Sequence, residues 1–369
     1  FGEQSFSGRR AIGSETLRSL GVAMKRPASA LRNPLESFIR GVPKVELHLH
    51  LEGTLEPELL LKLSKKNNIK ISYTTVEEIR KAYNFSSLDD FLKLYYEGMA
   101  VMVDESDFFE VAWSYLTKVH SENVRHVEVF FDPQPHMQRG VAFNTFIQGF
   151  SKALQKAEKD FGLTSKLIMC FVRHLPVEDM FKALEASLPF KELIVGVGLD
   201  STEMGNPPAK YTELFAKARE HGYECVAHAG EEGPPEYIVG VMDELKVKRV
   251  DHGVRCFEDP ELVKRLVKEK MPLTVCPASN VKLKVFEHMK DHNLKKLLDL
   301  GVCITINSDD PAYFGAYMTD NFLQVADALP IAREDIVKMV RNSIDATLLD
   351  DAGKSRLYTE LDAFCAANK

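Results

Sequence analysis

No apolar run in the chain approaches the roughly 20 residues needed to cross a bilayer as a helix. Positive charge is also short: 47 Lys and Arg stand against 54 Asp and Glu, a formal net charge of −7. That balance argues against a nucleic-acid groove or an anionic membrane surface as partner and points to a small molecule. The six cysteines (Cys170, Cys225, Cys256, Cys276, Cys303 and Cys365) are scattered and contain no CxxC pair. No disulfide framework is expected from them. They read mostly as small apolar residues on buried strands in a reducing compartment, which predicts a cytoplasmic location with the nucleus also open. Internal repeats and low-complexity tracts are absent as well.

Residues 1–40 are Arg- and Ser-rich and poor in apolar periodicity (SGRRAIGSETLRSL, then MKRPASALRNP). They predict a poorly ordered extension. An Arg- and Ser-rich organelle transit segment is the alternative, and Glu3, Glu15 and Glu36 weigh against it. Residues 41–369 read as one domain that ends in helices.

Short apolar, β-branched runs recur through that domain, at 44–49, 125–131, 167–172, 193–199, 224–228, 248–252, 272–276 and 302–307. Amphipathic stretches such as 211–221, 259–270 and 292–300 lie between them. Strands alternating with helices imply parallel βα units, and near-continuous apolar strands suit a sheet buried on both faces. About eight units in a chain of 369 residues predicts an α/β fold, a (β/α)₈ TIM barrel. The longest insertion, 55–123, reads as helices that cap the barrel mouth.

The notable polar residues stand at the C-terminal ends of these runs, the face on which such barrels carry their active sites. The first run ends in His48-Leu49-His50, and a strand's period of two points both imidazoles to one side. The fifth ends in His228-Ala229-Gly230-Glu231, the sixth in Asp251-His252-Gly253, and the eighth in Asn307-Ser308-Asp309-Asp310-Pro311. Singly these are a hydrogen-bonded core pair, a loop and a turn. Together they gather histidines and a carboxylate on one rim, a donor set that suits zinc and leaves room for a water.

The segments PKVELHLHLEGTL, VAHAGE, DHGVR, CPASN and NSDDP resemble the motifs of the adenosine/adenine deaminase family, from about residue 42 to about 350. The resemblance implies a barrel of the metal-dependent hydrolase type holding one Zn²⁺, which replaces an exocyclic purine amine with oxygen and releases ammonia. By motif position, His48, His50, His228 and Asp309 are similar to the family's zinc ligands. Glu231 matches the acid that protonates purine N1, and His252 the residue that orients the attacking hydroxide and helps deprotonate the water. Asp310 matches the group bonded to N7, and Ser279 a partner of the zinc carboxylate. Asp251 stands where adenosine deaminases more often have Gly. On a strand it points away from His252, so a structural ion pair is expected of it. Arg173-His174 reads as a pair at the mouth or a structural ion pair.

Adenosine deaminases carry Asp where this chain has Glu52 in HLHLEG, an Ala-Gly step where it has Asp200-Ser201-Thr202-Glu203, and an Arg-Phe-Ser-Pro pattern where it reads FFDPQPH. GLDSTEMGNPP, HAGEEGPPEY and SDDPAYFG resemble adenine deaminases of fungal and bacterial type, which implies adenine as substrate and hypoxanthine as product. Free adenine has a ring N–H where adenosine has a glycosidic carbon. A carboxylate on that edge would bond the base and exclude ribose, and Glu203 is the expected residue, with Asp200 and Glu52 also assigned to substrate binding. Adenosine and N6-substituted adenines remain alternative substrates, and a purine-binding protein without activity an alternative class. A binuclear amidohydrolase would need a bridging Lys or Glu near strand four, where this chain has Leu199-Asp200-Ser201.

Overall fold

A computed structural model of the protein describes residues 33–85 and 87–368. Nine strands run through them: β1 Lys44–Glu46, β2 Val124–Phe131, β3 Thr164–Val172, β4 Ile194–Asp200, β5 Glu224–Cys225, β6 Ala227–Ala229, β7 Val250–His252, β8 Pro272–Val275 and β9 Cys303–Ile306. Every pairing is parallel, in the orders β1-β2-β3-β4-β5 and β6-β7-β8-β9. Two joins turn these rows into a ring. β5 and β6 are halves of one barrel strand interrupted at Val226, whose N–H donates to Val197 O at 3.0 Å. Beyond β9, Asp309 pairs with Leu49: its N–H donates to His48 O at 3.1 Å, and its carbonyl accepts from His50 N at 3.0 Å. The closed eight-stranded barrel matches the sequence expectation.

The runs end differently from the predicted strands where side chains take over backbone partners. The first stops at Glu46 because the Leu47 N–H is claimed by Asn307 Oδ1 at 2.8 Å. The third starts earlier, at Thr164, where six residues of β3 pair in register with β2. The amphipathic stretches become helices Thr212–Glu220, Pro260–Glu269 and Leu294–Asp299.

Phe130, Ile168, Cys170 and Val226 form a small cluster of their own inside the barrel. Toward the N-terminal strand ends lies a fully buried ion pair between Glu128 and Arg249. Arg249 also donates to Leu47 O at 2.8 Å, and the Leu348 N–H donates to Glu128 Oε1 at 2.5 Å. Burial alone would raise the Glu128 carboxyl; the guanidinium and the His126 ring outweigh it and hold it at about 2.

The 55–123 insertion forms helices Pro57–Asn67, Val76–Ala82, Leu88–Met99 and Glu105–Ser121. Ser87 starts the third by accepting the Asp90 N–H at 3.2 Å. That helix buries Leu88, Phe91, Tyr95, Gly98 and Met99, the i, i+3, i+7 face of an amphipathic helix. Residues 1–32, on which most of the expected extension falls, lie outside the described residues. Glu36–Gly41 is helical and buries Phe38 and Ile39. The Phe38 ring packs 5.1 Å from Phe364 of the C-terminal helix, with Arg333 over its face.

Removing one member of the Glu128–Arg249 pair leaves a buried charge without its partner. Glu128→Gln should lower unfolding free energy by about 3–5 kcal/mol in denaturant titration. The double change Glu128→Gln, Arg249→Met should be less damaging than the single change; equal losses would mean the pair is not coupled.

Candidate active site

Four loops bring the expected residues to one rim. His48 and His50 follow β1, His228 lies in β6 with Glu231 just after it, His252 ends β7, and Asp309 and Asp310 follow β9. All are buried. Ser201, His252 and Asp309 take left-handed backbone conformations, with φ of 72°, 62° and 65°. Each such non-glycine residue costs of order 1–3 kcal/mol and persists only where neighbours over-determine it. Gly53 is required by close approach: a Cβ there would stand 1.9 Å from Asp310 Oδ1.

The imidazoles are held from behind. The Thr274 hydroxyl donates to Asp251 Oδ1 at 2.7 Å, so its lone pair faces His48 Nδ1 at 3.0 Å, and the Thr274 carbonyl lies 3.1 Å from the same nitrogen. His48 Nδ1 therefore carries the proton, and its Nε2 is a bare lone pair with no hydrogen-bond partner. Asp251 Oδ2 sits 3.6 Å from His228 Nδ1, and Asp200 Oδ2 3.6 Å from His50 Nδ1. The Nε2 atoms turn inward: His50 and His228 face each other at 3.3 Å, and Asp309 Oδ1 lies 3.3 Å from His48 Nε2 and 3.6 Å from His50 Nε2. Buried lone pairs pointed at one another need a cation between them, and a carboxylate or hydroxyl behind each ligating histidine is the usual support for one. The donor set fits a metal ion.

The ligand-capable atoms of His48, His228, His252 and Asp309 also lie within 4.8 Å of one another. Hydrogen bonding sets His252 apart. The Leu294 N–H donates to His292 Nδ1 at 3.0 Å, so His292 Nε2 carries a proton toward Asn280 Oδ1 at 3.2 Å. Asn280 Nδ2 then donates to His252 Nδ1 at 3.2 Å. The His252 proton is thereby on Nε2, which faces Glu231 Oε2 at 3.6 Å and Asp309 Oδ2 at 3.7 Å. Burial, then the neighbouring His48, push His252 down to about 3, so the ring is neutral. A neutral Nε2–H fits the orienting half of its expected role.

Glu231 Oε1 has no hydrogen-bond partner. Burial, then the charges of Asp309 and Glu203, hold its carboxyl well above the usual range, and burial with Asp309 does the same for Asp310. Both are thereby biased toward the protonated form. The cavity above the histidines is small, with a volume of about 40 Å³. Glu231, Asp310, Asp200 and Ser201 line it, and Phe91, Tyr95 and Tyr96 of helix Leu88–Met99 close it over.

Glu203 is the main correction. Its carboxylate does not line the cavity. Gly230 N–H donates to its Oε2 at 2.9 Å, and the N–H groups of Glu231 and Glu232 donate to Oε1 at 2.8 and 3.0 Å. Three backbone donors in series capture a carboxylate more completely than one substrate N–H could, so Glu203 ties down the Glu231 loop. Glu52 is likewise absent from the cavity wall; its Oε1 accepts from the Asp132 N–H at 3.1 Å and lies 2.9 Å from His136 Nε2. Asp251 lies 3.7 Å from Arg249, an ion pair as expected, but it also backs Thr274 and His228. Arg173 forms no ion pair among the described residues; it donates to the carbonyls of His228 and Asn206 at 2.8 and 3.0 Å. Ser279 Oγ makes no hydrogen bond to Asp309 or to any other described residue. Sequence reasoning gave Asp132 no role, yet it lines the cavity. Its signal was its place at the end of the second run, in FFDPQPH, where the other site residues end theirs.

A family model described as adenosine deaminase matches residues 43–364. The chain is 52% identical over 325 residues to an adenine deaminase of Acinetobacter baylyi, covering 88% of this chain and 98% of the relative. It is 48% identical over 330 residues to an adenine deaminase of Hahella chejuensis, covering 89% and 99%. The crystal structure of the adenine deaminase of Arthrobacter aurescens aligns with a TM-score of 0.87 at 44% identity, over 88% of this chain and 100% of that one. With that match over most of its length, the chain belongs to the adenosine deaminase family.

Proposed function

We propose that the protein hydrolyses adenine to hypoxanthine and ammonia, with one zinc ion held by His48, His50, His228 and Asp309. The observation that carries this reading is a buried carboxyl, Glu231, with Oε1 unpartnered and its pKa raised by burial, facing a small cavity beside converging imidazole lone pairs. Three imidazoles and one carboxylate are a usual donor set for zinc, which supplies a Lewis acid able to bring the pKa of a coordinated water near 7. No helix among the described residues is long and apolar enough to cross a membrane.

Addition of water at C6 breaks the aromaticity of the ring and puts negative charge on N1. Glu231, facing N1, neutralises that charge by giving up its proton. The His252 Nε2–H is placed to orient the attacking oxygen, and Asp310 to hold N7. Collapse expels the C6 amine, which leaves as ammonia with a proton from the added hydroxyl, and the other proton of the added water replaces the one that Glu231 gave to N1. The cavity volume and the aromatic residues over it favour a free base over a nucleoside.

Adenine should therefore release ammonia with kcat/KM at least about 10²-fold above adenosine. The same assay run on N6-methyladenine and AMP excludes the alternatives; equal rates on adenine and adenosine would sink the assignment.

Glu231→Gln should keep metal and base binding and lose about 10²–10⁴-fold in kcat. The sign of the pH dependence follows from the raised Glu231 carboxyl. The active form is protonated, so activity falls as pH rises through that shifted value, and any activity left in Glu231→Gln should lack this alkaline limb.

Elemental analysis of the purified protein should give about one zinc per chain, lost in His228→Ala. A ratio near two would contradict a mononuclear site.

A further inference from the structure

The cavity wall holds a carboxyl pair that has no contact with the base in the reaction as described. Asp132, just after β2, and Asp200, at the end of β4, are 2% and 3% exposed. Both line the cavity, and their oxygens lie within 4.8 Å of one another. Asp132 Oδ1 and Asp200 Oδ1 have no hydrogen-bond donor among the described residues, and Asp200 Oδ2 has only the His50 ring 3.6 Å away. Buried carboxyl oxygens left open in a cavity are costly unless a ligand satisfies them. With Glu203 committed to backbone amides, these are the remaining carboxyls that can meet a substrate N–H.

Their positions on the ring of strands match the order of heteroatoms on a purine. Round the mouth come Glu231 after the fifth barrel strand, Asp200 after the fourth, Asp132 after the second and Asp310 after the eighth, which closes on the first. Round the periphery of adenine come N1, N3, N9 and N7. With Glu231 at N1 and Asp310 at N7, Asp200 falls at N3 and Asp132 at N9. In the usual tautomer of the free base N9 carries a proton and N3 a lone pair. The Glu52 carboxylate fixes Asp132 by accepting its backbone N–H.

We propose that Asp132 is the specificity-determining residue for the free base, accepting the N9–H of adenine and occupying the direction a 9-substituent would take. This rests on the adenine reading above. It also returns to a different residue the task that the sequence had suggested for Glu203.

The test compares adenine with 9-methyladenine, which lacks only the N9–H. The unmodified protein should disfavour 9-methyladenine by at least about 10²-fold in kcat/KM. Asp132→Ala should lose tenfold or more on adenine, mainly in KM, with 9-methyladenine unchanged or improved. The ratio between the two then narrows at least tenfold while bound zinc stays at the unmodified level. Asp132→Asn keeps the shape and an acceptor oxygen and should fall between; it decides the matter if the alanine variant does not fold. Equal use of the two bases by the unmodified protein overturns the proposal, as does an unchanged ratio in a folded, zinc-loaded Asp132 variant. Failure of the unmodified protein to deaminate adenine overturns the adenine reading and this proposal together, whereas adenine activity with unaltered discrimination removes only Asp132.

Discussion

The hydroxyl of Thr274 has one proton, and it goes to Asp251. From that single commitment the orientation of the site follows. His48 must carry its proton on Nδ1 and turn a bare Nε2 into the cavity, while the same aspartate stands behind His228 and is reached from below by Arg249. Arg249 in turn is neutralised by Glu128. A continuous column, Glu128, Arg249, Asp251, Thr274, thus links the buried end of the barrel to the ligand histidines. The ion pair that satisfies the interior also bears on which nitrogen of His48 and His228 is free, so barrel stability and ligand geometry depend on the same groups.

A second chain of donors serves the neighbouring residue of the same strand, His252. It begins at a backbone N–H, Leu294, which cannot change its role, and runs through His292 and Asn280 to His252. Backbone donors at one end of a side-chain relay remove its ambiguity, because each group along it has a single remaining option. The same device appears at Glu203, where three consecutive N–H groups settle a carboxylate and with it the loop that presents Glu231.

The barrel was legible in the sequence because a parallel strand buried on both faces leaves a strong signal, an apolar run bounded by turns. The residues at the rim were legible because they end those runs. What the sequence misjudged was the direction of side chains beyond the strand ends. Glu203 lies only three residues past Asp200, yet the loop turns at Ser201 into a left-handed conformation and carries the carboxylate under the next loop. Periodicity says nothing once the backbone leaves the strand. Asp132 was overlooked for the converse reason: it obeys the end-of-strand rule, but a lone Asp before Pro also reads as an ordinary turn. Glu52 opens a short 3₁₀ helix, Glu52–Thr54, beyond the first strand, and its partners, His136 and the Asp132 amide, come from residues some 80 positions away that no local pattern connects.

Five carboxyl groups, Asp132, Asp200, Glu231, Asp309 and Asp310, share one small buried cavity. Burial and mutual repulsion hold Asp132, Glu231 and Asp310 above their ordinary range. Such a rim works against folding: the empty barrel is a less stable molecule than one with its ligands in place, because a cation or a base satisfies groups that the chain itself leaves open. A substitution that removes one of these acids can therefore raise the melting temperature even as it abolishes turnover. In a collection of variants chosen only for robustness, this rim is where thermal resistance and loss of function would arrive together.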